Sequence, residues 1–397
     1  MVPVPVPLTE PMRRPFILAA LLLFVAAGAL AGSLEEQKRE AVRIRGLSFI
    51  HDVRAISIDR SELPGHLHKQ LMASLPYSFA DYGRVLAALR LIDTAEAASE
   101  PKLLGLLEQQ VLAFYDPLTH TYFAIRQLPN AIPAEARQLP LEDAVAVHEL
   151  THALQDQHFS IGLKDYGLRN DWDGSMALHA VIEGDATLVM MAKLASVSGM
   201  TLDDLVSNDM LVSGLSAAAA MMRSDNDGTP RYFIDQLAFP YVQGSRFVIE
   251  AYRRGGWKAV NQIYADPPRS TRDVMHPEEY FAGRRTANAF TTQPPFAVQR
   301  LLTVEHLGEY HWSFLLGGDN ARGWRGDRAT IVDDAFCQPT VLVETRWESP
   351  QRAAAFRAAY ASFLDKQGID ADLVQRGSDV DVAYGADPVL AARFMKR

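Results

Sequence analysis

The chain has 397 residues, 48% of them hydrophobic and 22% charged, with a formal net charge of −9 and one cysteine, Cys337. That length holds two or three domains with an ample core. The acidic balance argues against nucleic acid as a partner, and a lone cysteine excludes an intrachain disulfide and any metal site built from several thiolates.

Residues 1–32 read as a targeting segment. Val2 to Pro11 is proline-rich, Arg13 and Arg14 form a positive n-region, Phe16 to Ala31 is an uninterrupted apolar run, and Ala29-Leu30-Ala31 is a small-x-small cleavage site. The run is slightly long for a signal peptide and slightly short for a span of about 20 residues. A cleaved export signal is the preferred reading and an uncleaved membrane anchor the alternative. Both place the remainder outside the cytoplasm, whether periplasmic, secreted or membrane-associated through this segment.

Ser33 to about Glu100 reads mostly helical. Ser33 with Glu36 is a capping box, Val53 to Ile58 a short strand, Asp59 to Glu62 a turn, and Tyr82 to Leu91 and Leu103 to Gln110 are amphipathic helices. His51, His66 and His68 fall here and read as surface histidines. Val111 to Ile125 reads as a hairpin, two runs of β-formers around Asp116-Pro117-Leu118-Thr119-His120. It is either structural or offers an edge strand to an extended peptide.

The chemistry lies in the next stretch, where residues 148–152 read His-Glu-Leu-Thr-His. Pro140 suits a first helical turn, Glu142 and Asp143 suit the positive end of the helix dipole, and Leu141, Ala144, Val145, Leu150, Ala153 and Leu154 form an apolar surface. On a helix, residues four apart lie about 40° and about 6 Å from one another. His148 and His152 can therefore reach one Zn²⁺. Glu149 faces the same cleft and can take a proton from water there, the arrangement of a metallopeptidase.

Catalytic zinc usually takes three protein ligands, and two candidates compete for the third place. His158 has the spacing of His-Glu-x-x-His-x-x-Gly-x-x-His, but Gln155 stands where glycine would break the helix, and a continued helix carries His158 about 240° round from His152. Glu183 lies 31 residues beyond His152, an acid inside the largely apolar run Met176 to Met191. A buried carboxylate needs a partner, so Glu183 is preferred, on a helix that Ser175 can cap. Asp185 and Thr187 can orient a ligand histidine, and His179 reads as packed.

The segment 148–159, followed by Glu-Gly-Asp-Ala-Thr at 183–187, resembles the gluzincin-type zincin metallopeptidases. It is similar, more narrowly, to little-characterised exported bacterial proteins, through Phe-Tyr-Asp-Pro at 114–117 and the stretch 267–280. The likeness covers roughly residues 40–330. It implies zinc held by His148, His152 and Glu183, with Glu149 as base. The gap to the glutamate is longer than in the thermolysin-like pattern, so substrate preference does not carry over.

Downstream, Thr201 to Met222 reads as helix, Arg223 to Arg231 as a loop, and a helix entered at Phe239 to Val248 is broken at Gly255-Gly256 and ends at Pro267-Pro268. Tyr241 and His276 are the candidate donors to an oxyanion. From Leu301 onward, Gly323 to Asp327 reads as a tight turn, followed by strand, strand, helix, strand and helix, with Cys337 as a buried small apolar residue.

The expected class is α+β: residues 33–300 a predominantly helical, zincin-like catalytic domain with a small sheet, and residues 301–397 a small α+β module. The expected function is an exported zinc peptidase acting on a peptide or protein, its oligomeric state open. The alternatives are a non-catalytic, zinc-stabilised envelope binding or assembly protein, or hydrolysis of another amide or ester.

Overall fold

A computed structural model describes residues 33–108, 111–127, 141–168, 171–224, 228–286 and 288–397. The expected targeting segment and Pro140 lie outside these residues. Among them, no helix is long and apolar enough to cross a membrane.

The N-terminal part comprises α1 (Leu34–Arg45), β1 (Arg54–Ile58), α2 (Leu63–Ser74), α3 (Phe79–Ala88), α4 (Glu100–Glu108), β2 (Ala113–Asp116) and β3 (Thr121–Ile125). The helical middle follows as α5 (Leu141–Phe159), α6 (Ile161–Gly167), α7 (Trp172–Ser196), α8 (Leu202–Val206), α9 (Met210–Ser224), α10 (Arg231–Ala265), α11 (Thr271–Met275) and α12 (Pro277–Phe281). The C-terminal part holds β4 (Leu301–Glu305), α13 (Gly308–Leu316), α14 (Gly318–Ala321), β5 (Trp324–Asp333), β6 (Pro339–Trp347), α15 (Pro350–Lys366), β7 (Ala371–Arg376), β8 (Asp379–Gly385) and α16 (Pro388–Met395). The α+β class is observed.

The first sheet has the order β1-β3-β2, with β1 parallel and β2 antiparallel to β3. Ser33 caps α1 through the expected capping box with Glu36. The helix after the first sheet, α5, packs on α7, and α7 packs in turn on α10. The α7–α10 crossing is backbone on backbone. A Cβ on Gly184 would lie 2.2 Å from the Gly244 carbonyl carbon, and one on Gly244 would lie 1.9 Å from the Ala180 oxygen. Only glycine permits that approach. Gly184 follows Glu183 and Gly244 lies one turn beyond Tyr241, so the crossing sets both side chains against each other.

The second sheet has the order β4-β5-β6-β8-β7, every neighbouring pair antiparallel. It is not an independent globule. Leu67, Leu71, Val85 and Leu86 of α2 and α3 share one hydrophobic core with Ile331, Val341, Phe356 and Tyr360 of β5, β6 and α15. Asp327 anchors its start, accepting backbone N–H bonds from Leu307 and Gly308 and indole N–H bonds from Trp312 and Trp324, at 2.7–2.8 Å.

Several expectations are corrected. Asp171, not Ser175, caps α7, accepting from the Gly174 N–H at 3.0 Å, because the helix begins a turn earlier. The predicted turn at Gly323 to Asp327 is the bulged start of β5. Strands β4 and β7, both short and of mixed polarity, add two edges to the expected C-terminal strands. The helix through Tyr241 starts at Arg231, tolerates Pro240 inside it, and does lose helical geometry at Gly255 and Gly256. Cys337 is exposed, not buried, at φ +59° in the β5–β6 turn.

Gly184→Ala should therefore force α7 and α10 apart and destabilise the fold by about 1–3 kcal/mol or more. Gly105→Ala, where a Cβ meets nothing within 4 Å on helix α4, should stabilise by about 0.5–1 kcal/mol. Denaturant midpoints of the two variants would separate them. Burial pushes the Glu305 carboxyl from its ordinary 4.5 up to about 8. A folded pKa above the unfolded one stabilises at low pH, and that contribution disappears as pH rises from about 4.5 to about 8. Glu305→Gln should flatten the pH dependence of unfolding free energy across that window.

Candidate metal centre

Two helices bring three donor atoms together. His148 and His152, one turn apart on α5, present their Nε2 atoms 3.0 Å from each other, with the rings edge to face at 88°. Glu183 on α7 places Oε2 3.2 Å from His148 Nε2 and 3.6 Å from His152 Nε2. A tetrahedral ion with bonds of about 2.0–2.1 Å has ligand–ligand edges of roughly 3.3 Å, and the three observed edges bracket that value. All three residues are at most 4% exposed, as is Glu149. The set of two imidazoles and one carboxylate could hold a metal ion.

The layer behind the triad orients its side chains. The Gln155 side-chain N–H₂ donates to the Ile182 carbonyl at 3.0 Å and to Asp185 Oδ2 at 3.1 Å. Both are acceptors, so the amide oxygen must face His152, whose Nδ1 lies 2.8 Å away. His152 therefore carries a proton on Nδ1, and Nε2 is the ring atom that faces the triad. Asp185 is held in turn by Arg45 Nε at 2.7 Å and by the Tyr264 hydroxyl at 2.8 Å. The Arg45 guanidinium is fully buried, 4.5 Å from the Trp257 ring centroid, and donates to Asn261 Oδ1 at 2.7 Å. A chain of buried groups thus runs from α1 to the second imidazole.

Glu149 lies beside the triad, and its Oε2 accepts the Tyr115 backbone N–H at 2.9 Å. β2 is the sheet's edge, but Ala113, Phe114 and Tyr115 are buried, and this outward N–H is occupied by Glu149. The hairpin is pinned to the far end of α5, where Asp156 Oδ2 takes the Tyr115 hydroxyl at 3.1 Å and His120 Nδ1 at 3.0 Å. Burial pushes the Glu149 carboxyl up to about 8, against the opposing pull of His152. For Glu183 the neighbouring imidazoles outweigh burial and hold the carboxyl well below the usual range. Burial alone would depress His152, but Glu183 overrides it and raises the ring to about 9.

The structure brings Tyr241 to this group and places His276 elsewhere. The Tyr241 ring stacks 6.4 Å from that of His148. Burial, then the charges of Glu183 and Glu149, raise its hydroxyl well above its ordinary value, so it stays protonated. His276 sits between α11 and α12 with Nε2 on Glu309 Oε1 at 2.7 Å, in a network with Arg272. His158 also stays apart, donating to the Ser48 carbonyl at 2.7 Å from the end of an unbroken α5. His179 meets Asp165 at 3.0 Å. The sequence pattern does not single out Gln155, Tyr115 or Arg45; Gln155 does carry a signal, standing three residues beyond His152 on the same helix face.

Residues 296–391 match the family model of a domain of unknown function, DUF8575. The match takes in the second sheet and leaves the triad outside it. No curated protein and no solved structure matches the chain.

Gln155→Ala removes the acceptor that holds the His152 Nδ1 proton. Zinc affinity should fall about 10–100-fold, read by competition with a chromophoric chelator, with the circular dichroism spectrum unchanged.

Proposed function

We propose that this chain is an exported zinc-dependent peptidase with a zincin-like catalytic unit. The observation that carries the reading is the triangle of 3.0, 3.2 and 3.6 Å between donor atoms of His148, His152 and Glu183, with a second carboxylate, Glu149, on the same helical turn. Zinc in that triangle supplies a Lewis acid that polarises a carbonyl and acidifies water. The residues of the chain do the rest. Glu149, adjacent to His148 and buried beside the triad, is placed to accept a proton from water and return it to a leaving amine. The Tyr115 N–H holds one of its oxygens in place. Tyr241 offers a protonated hydroxyl to the developing oxyanion, a contribution of about 3 kcal/mol. Export is supported by residues 1–32 alone, and the substrate class, peptide or protein, by the motif and its resemblance.

A closed, non-catalytic zinc site is the second reading, favoured by the burial of every group around the triad. It does not account for Glu149, and a structural site prefers four protein ligands. Among the described residues the metal-binding group has three.

Elemental analysis of the purified chain should find one zinc, lost in Glu183→Ala. Glu149→Gln should keep the zinc and lose hydrolysis of unfolded casein by at least about 100-fold. Zinc with an undiminished rate in Glu149→Gln would remove the general-base role, and a parent protein without zinc would remove the reading itself.

A further inference from the structure

A cavity of about 320 Å³ opens between α9, α10 and α13, at the lower end of ordinary ligand pockets of roughly 300–1,000 Å³. It lies on the reverse of the helix that carries Tyr241. Arg231, Asp235, Ala238, Phe239 and Val242 line it from one face of α10, and the helical screw puts Tyr241 roughly 120° round from that face. The cavity is therefore no part of the metal centre.

Its polar groups are incompletely used. Arg223 and Arg231 both spend their Nε on the single carboxylate of Asp235, the latter at 2.9 Å, so these three groups together carry one net positive charge. Among the described residues, no hydrogen bond is made by their terminal nitrogens. Three more atoms on the wall, the Tyr310 hydroxyl, Ser313 Oγ and Gln243 Oε1, are buried without a hydrogen-bond partner. Tyr310 is itself only 9% exposed. Buried polar atoms left unpaired are costly, and here they face a space large enough for a ligand. The remaining wall is apolar. Phe239 packs on Tyr310 at 4.5 Å between ring centroids, and Arg231 lies over Phe314 at 5.6 Å.

We propose that this cavity is a binding site for a small amphipathic carboxylate. The acid group pairs with the terminal guanidinium nitrogens of Arg223 and Arg231, where a bidentate charge-assisted contact is available. The apolar body lies along Phe239 and Val242, and the Tyr310 hydroxyl reaches the acid or its nearest polar atom. A neutral molecule of the same shape lacks the charge partner, and a cation meets the arginines head on.

The test is calorimetric titration of the full chain with octanoate and with 1-octanol. Octanoate should bind at least tenfold more tightly than the alcohol. Arg231→Gln, a mostly exposed side chain, should weaken octanoate at least tenfold with little change in melting temperature. Val242→Trp should fill the cavity and abolish binding. Octanoate and octanol binding alike, no octanoate binding up to about 10 mM, or full octanoate binding by Val242→Trp would each overturn the assignment. None of these outcomes depends on zinc, so the proposal stands or falls separately from the peptidase reading.

Discussion

The backbone contact between Gly184 and Gly244 is the constraint on which the rest of the middle of the molecule depends. Two helices cannot approach to this distance with any side chain between them. Because Glu183 precedes one glycine and Tyr241 lies a turn before the other, the contact decides which groups meet. It carries a carboxylate from α7 towards two imidazoles on α5, and a phenol from α10 towards the same place. A looser crossing would separate Glu183 from the two imidazoles that answer its charge, and a buried charge without a partner is costly.

Burying so many ionisable groups is stable only if each is answered. Glu183 is answered by the two imidazoles, and Glu149 in part by a backbone N–H from β2. Asp185 is answered by Arg45, Tyr264 and the Gln155 amide. These partners come from α1, the first sheet, α5 and the far end of α10. The site is therefore assembled by the whole N-terminal two-thirds of the chain rather than by one motif. The charges also explain why α1 and the stretch after Gly255-Gly256 dock where they do, since Arg45 is buried between Asp185, Asn261 and Trp257.

Much of this was legible in the residues. The α5 helix announced itself through acidic residues at its start and apolar residues at helical spacing, and Glu183 stood out as an acid in an apolar run. Tyr241 and His276 looked equivalent as donors, and only packing separated them: one ring stacks beside His148 while the other is spent on Glu309. Helix propensity describes the backbone and says nothing of what the Gln155 side chain meets. β4 and β7 are edge strands of mixed polarity with little periodicity to mark them. Cysteine is usually buried, but a hairpin turn holds Cys337 at positive φ on the surface.

The residues by themselves determined the local facts: a helix with two histidines a turn apart, a neighbouring carboxylate, and a second acid that could not be buried alone. These follow from short-range geometry and from the cost of isolating charge. Only the tertiary structure decided which distant groups complete the site, namely the Tyr115 N–H, the Gln155–Asp185–Arg45 chain and the Tyr241 hydroxyl. It also decided that the C-terminal sheet shares its core with α2 and α3. Those contacts join residues far apart in the chain, and their selection rests on how closely helices and sheets can pack, which no local pattern encodes.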